Sequence, residues 1–171
     1  MLSDNLSWYK NTQYICQKAR KKLWILRRMV QLDLDIWILF DVYTKEVRSI
    51  LELAVPAWHS GLTKQQSADI ERVQKISFKL ILGDQYENYD NACNFFSTET
   101  LEQRRVKLCL KFASKNLKSE NSLFISNTSV RNTRQKAKLV QEIKCRTKRF
   151  EKSSIPYLSK LLNTASRSKL N

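Results

Sequence analysis

Trp8, Thr12, Ile15, Ala19, Leu23, Leu26 and Val30 follow one another at steps of three or four, the spacing that lines side chains up along one face of an α-helix. Lys18, Lys21, Lys22 and Arg28 fall off that stripe. The same period returns further along the chain. A second helix is expected from Asp35, whose carboxylate can accept from free backbone N–H groups, to about Ala54, with Ile36, Leu39, Phe40, Tyr43, Val47, Ile50, Leu51 and Ala54 facing inward. Pro56 is expected to end it. Thr63 and Gln66 have the spacing of a capping box and open a third helix with Ile70, Val73, Ile76, Leu80 and Ile81 inward, closed by Gly83. A short helical piece is expected near Ala92 to Phe96. Thr98 or Thr100 then caps a fourth long helix carrying Leu101, Val106, Leu108, Cys109, Phe112 and Ala113.

Two glycines and two prolines among 171 residues are too few for the tight turns of a β-protein or for a glycine-lined phosphate loop. The fold class is therefore read as all-α, a small bundle of about four helices. Beyond Leu117 the chain becomes rich in Ser, Asn and Lys and poor in large apolar residues, so little burial offsets the entropy of ordering it. We expect residues 1–117 to form the helical domain and 118–171 a basic, partly disordered tail. Mobility is expected between about Lys118 and Lys138. Within the tail, "SSIPYLSKLLN" at 153–163 is an apolar segment suited to docking on the bundle or on another chain.

The formal charge is +15. It is uneven: residues 1–117 carry 18 basic and 13 acidic side chains, and residues 118–171 carry 13 and 3. Such a field attracts polyanions. The longest apolar run, "IWILF" at 36–40, is far below the roughly 20 residues of a spanning helix, no signal-peptide pattern is present, and no membrane partner is expected. Cys16, Cys93, Cys109 and Cys145 form no CxxC pair. They read as reduced thiols of an intracellular chain rather than zinc ligands.

Catalytic constellations fail for want of parts. His59 is the only histidine, so an iron site built on two histidines has no ligands and a histidine base has no partner to orient it. A structural role is expected for it. Gly61 and Gly83 are isolated, which leaves no dinucleotide or methyl-donor turn. No Asp-Asp pair exists to hold the two metals of a polymerase. No catalytic residue, metal or cofactor is assigned.

Five blocks in order carry a resemblance: "NLSW…NT…KARKKLWILRRM", "VYTKEVRSILELAVPAWHSGLT", "DIERVQKISFKLILG", "Y…TLEQRRVKLCLKFASK" and "SSIPYLSKLLN". Together they resemble the region after the palm in reverse transcriptases of non-LTR (LINE-like) retrotransposons, over residues 3 to about 117 and again about 146 to 163. The resemblance implies a helical thumb and adjoining C-terminal segment that hold a template–primer duplex against the palm. The palm's Asp-Asp motif has no counterpart, so the implied molecule is a catalytically inactive fragment. The first block also resembles the segment labelled as the N-terminal domain of AlkB-type alkylated-DNA-repair proteins, but the iron and methyl-donor residues behind that label are missing.

The candidate nucleic-acid-binding residues are Lys18, Arg20, Lys21, Lys22, Arg27 and Arg28, in a stretch with no acid between Trp8 and Met29, together with Arg104 and Arg105. Their cations suit phosphates and read no base sequence. The plain alternatives are a solvated helix face for the first group and pairing with Glu99 or Glu102 for the arginine pair. Trp8, Trp24, Trp37 and Trp58 are expected in the core. Weak nucleic-acid binding is the first functional reading. A protein-interaction or non-functional remnant, with apolar faces that invite self-association or a palm-containing polymerase, is the second. An AlkB-type domain is the third.

Overall fold

The computed structural model describes residues 7–120, 122–126 and 138–168. The chain is mainly helical. Among the described residues no strand forms, and the one β feature is an isolated antiparallel bridge between Ser126 and Val140. The helices are α1 (Tyr9–Gln31), α2 (Ile36–Val42), α3 (Ser49–Leu51), α4 (Val55–Trp58), α5 (Lys64–Leu82), α6 (Tyr89–Phe95), α7 (Leu101–Leu117), α8 (Lys148–Glu151) and α9 (Ser154–Ser168), with a π-helical stretch, Tyr43–Arg48, joining α2 to α3. Two compact units divide them, one holding 7–54 and Leu62–Arg104 and the other Val55–Gly61 and 105–168. The packing thus draws its line elsewhere than Leu117. The segment Val55–Gly61 and most of α7 group with the C-terminal part, and α9 supplies the apolar face on which Val55–Gly61 packs.

In the first unit α1 lies along α5 and also meets the π-helical stretch and α3. Its buried stripe is Thr12, Ile15, Cys16, Ala19, Leu23 and Leu26. Trp8 is half-buried and Val30 exposed, so the expected stripe holds in its middle and frays at both ends. Asp35 caps α2 as expected, accepting from the Trp37 N–H at 2.8 Å. An aromatic cluster fills the space between α2, α5 and α6. Phe40 stacks on Phe96 with centroids 4.4 Å apart, and Tyr43 meets Phe78 edge-on at 5.3 Å.

A buried polar chain runs through that cluster. The Tyr43 hydroxyl donates to Gln74 Oε1 at 2.6 Å, and Gln74 Nε2 donates to the Tyr89 hydroxyl at 2.8 Å and to the Glu99 carbonyl at 3.2 Å. Tyr89 donates to Glu71 Oε1, which also accepts from the Leu101 N–H at 2.9 Å. Burial, first of all, raises both tyrosine pKa values well above 10. Both hydroxyls stay protonated and able to donate. The chain ties α5 to the start of α7.

The predicted capping box exists. Gln66 N donates to Thr63 Oγ1 at 3.2 Å and Thr63 N donates to Gln66 Oε1 at 2.8 Å. Gly83, at φ +51°, closes α5. Of the two candidates for the start of α7, Thr100 is the one that caps it, exchanging hydrogen bonds with Gln103. Pro56 does not end the second helix. The chain leaves it at Ala54, whose φ of +52° breaks the right-handed turn, and Pro56 sits inside α4, whose opening turn requires no N–H from it.

In the second unit α9 packs on α4 and on the turn His59–Gly61. Segment 153–163 therefore docks within its own unit, as part of a helix longer than its apolar run. Leu158, Leu162 and Asn163 are buried. The Asn163 amide accepts from Val140 N at 3.0 Å and donates to Val140 O at 3.1 Å, pinning the chain beside the Ser126 bridge. Of the stretch expected to be mobile, residues 121 and 127–137 lie outside the described residues. None of the four cysteines is in a disulfide.

Candidate nucleic-acid interface

Helix α1 carries seven basic residues and no acidic one. With one face against α5, the opposite face is fixed in solvent by geometry. Lys10, Tyr14, Lys18, Lys21, Trp24 and Arg28 occupy it at steps of three or four, and all six are exposed. Arg20 and Arg27 are exposed on its flank. The Lys18 ammonium lies 5.9 Å from the centroid of the Tyr14 ring, a cation–π distance. Arg20 also lines a groove of about 270 Å³ between α1 and α5, together with Tyr9, Gln17, Asp69 and Arg72.

The other candidates are placed differently. Lys22 turns aside to Glu46 of the π-helical stretch, with Nζ 2.9 Å from Oε2, so its charge already has a counterion that the helix sequence did not reveal. Arg104 grips Glu52 through Nε and through Nη2, the latter at 3.0 Å from Oε2. That two-pronged hydrogen bond, the main cause, holds the guanidinium pKa above its usual value. Its hydrogen-bonded partner is thus Glu52, with Glu99 adding a smaller charge interaction. Arg105 is fully buried and cannot reach a phosphate in solvent. It follows Leu101 and precedes Cys109 and Ala113 at steps of four, so it lies on the apolar stripe of α7.

Two tryptophans expected in the core are on the surface. Trp24 is 64% exposed and Trp37 is 55% exposed, whereas Trp58 is buried. The signal for Trp24 was its phase: it falls between Lys21 and Arg28, in register with the cations and not with Leu23 and Leu26. Trp37 stacks on Phe95 at 5.7 Å, leaving an exposed aromatic pair over buried Phe96.

His59 is half-buried, with its ring edge-on to Tyr157 at 5.6 Å and its Nδ1 without a hydrogen-bond partner. Burial, reinforced by the charge of Arg105, lowers its pKa to about 4. It is a neutral packing residue at physiological pH. Burial likewise pushes the Cys109 thiol up to about 11, away from the thiolate a nucleophile needs. Among the described residues no group of three or more His, Cys, Asp or Glu is placed to hold a metal ion, and no helix is long and apolar enough to cross a membrane. No protein-family model, curated protein or solved structure matches the chain.

Proposed function

We propose that this chain is a non-catalytic, thumb-like helical module of the reverse-transcriptase kind that binds nucleic acid weakly through the solvent face of α1. The observation that carries the reading is the exposure of Lys18, Arg20, Lys21, Arg27 and Arg28 on one rigid helix that contains no acid. Cations that meet phosphates release the counterions condensed on the nucleic acid, and that release drives binding. Lys22, Arg104 and Arg105 drop out of the interface, the first two because they are paired and the third because it is buried.

The test is a salt titration of the full chain on a fluorescent DNA duplex. Five neutralised phosphates correspond to a log–log slope of about −4.5, at about −0.9 each. Replacing Lys18, Lys21 and Arg28 together with Gln flattens that slope by about 2.7. Lys22→Gln leaves it nearly unchanged. The control replaces Lys144, Arg146 and Arg149, three cations exposed in the tail; equal losses from both sets mean diffuse attraction and overturn the reading. A second reading, a protein-contact module, is favoured by the exposed Trp37–Phe95 pair.

A further inference from the structure

Two of the six residues on the solvent face of α1 are not cations. Tyr14 is 55% exposed and Trp24 is 64% exposed, and both stand inside the basic stripe. From Lys10 to Arg28 the stripe runs about 27 Å at 1.5 Å per residue. Tyr14 is flanked by Lys10 and Lys18, and Trp24 by Lys21 and Arg28, so each ring stands between two cations.

A phosphate-only surface has no use for the rings. In a duplex the base faces are already stacked and the outer surface is sugar and phosphate, against which an indole gains little. An unpaired strand offers both phosphates and free base faces, and stacking of a base on an aromatic side chain tolerates any sequence. We infer that the solvent face of α1 binds single-stranded nucleic acid, RNA or DNA, with Trp24 and Tyr14 as base-stacking platforms and Lys10, Lys18, Lys21 and Arg28 as phosphate contacts.

This inference rests on the proposed nucleic-acid reading and narrows its ligand. Charge complementarity selects the occupant, since the helix carries seven basic residues and no acid. An anionic membrane shares that charge preference. It would, however, engage a continuous apolar face, and the apolar face of α1 is covered by α5.

The experiment compares the full chain on a fluorescent oligo-uridine 20-mer, an oligo-thymidine 20-mer, a 20-base-pair duplex and phosphatidylserine-containing vesicles, all at one salt concentration. The single strands are expected to bind at least tenfold tighter than the duplex. Trp24→Leu and Tyr14→Leu each weaken single-strand binding about tenfold, the range of one lost stack, and leave duplex binding unchanged, while Trp24→Phe restores most of the loss. Both side chains are exposed, and unchanged circular dichroism verifies that the variants fold.

Equal affinity for strand and duplex, or no effect of Trp24→Leu, overturns the inference and leaves the cation reading standing on its salt slope. Absence of binding to every oligonucleotide overturns both. Preferential binding to the vesicles with a blue-shifted Trp24 emission overturns both and assigns the face to membranes. A weaker response to uridine than to thymidine, with both above duplex, supports the inference and makes DNA the better of the two ligands.

Discussion

At the scale of single residues the charged side chains with unusual surroundings say most. His59 has a folded pKa of about 4 against an ordinary value of 6.5, so between those values the unfolded chain binds the extra proton. Stability then rises with pH across that window and is lost as the pH falls from 6.5 towards 4. Solvent screening at a half-buried ring limits the loss to about 1–2 kcal/mol. Urea unfolding at pH 7, 5.5 and 4.5 is expected to show it, and His59→Gln to flatten the curve over that interval; an unchanged slope in the variant contradicts the assignment. Arg105 teaches a related lesson. Its spacing from Leu101, Cys109 and Ala113 was visible in the sequence, but a guanidinium is usually exposed, and the residue type outweighed the phase. Lys22 and Arg104 met counterions, Glu46 and Glu52, that are 24 and 52 residues away in sequence, beyond the reach of any local pattern.

At the scale of the element, helix starts follow from chemistry within four residues. Asp35, Thr63 and Thr100 each accept from a backbone N–H of the helix they open, since those donors have no partner inside the helix. Thr63→Ala is expected to cost about 1 kcal/mol, read as a lower midpoint in thermal unfolding, and Thr63→Ser to recover most of it. A loss no larger than that of an exposed surface substitution would show that the capping box contributes nothing. Helix ends and irregularities were less legible. Proline suggested a stop at Pro56, yet the chain turned at Ala54, because proline is well suited to the opening turn of the next helix. The π-helical stretch Tyr43–Arg48 has no sequence signature. It packs against α1, a contact that no local pattern encodes.

At the scale of the whole molecule, a charge of +15 opposes self-association at low salt, whereas the exposed Trp37–Phe95 pair favours it. Salt screens the first and not the second. Light scattering is expected to show mass rising with protein concentration and rising further from low to high salt, and Trp37→Lys is expected to suppress it. A chain that stays monomeric at every salt concentration contradicts a contact role for that pair and favours a self-sufficient binding module. The division into two units was not legible from composition, which changes at Leu117. Packing instead recruits Val55–Gly61 and residues beyond Arg104 to the C-terminal unit, since α9 needs a partner for Leu158 and Leu162.

What the sequence determined by itself was local. The all-α class, the start of α2, α5 and α7, the buried stripe of α1 and the cationic character of its far side all depend on residues within one or two turns of each other, where a 3.6-residue period and short-range hydrogen bonds leave little choice. What only the tertiary structure decided was which of those side chains remain available. Pairing removed Lys22 and Arg104, burial removed Arg105, and the docking of α1 on α5 left Trp24 and Tyr14 in solvent among the cations. Burial and ion pairing are relations between distant segments, and they exist only once the helices have packed.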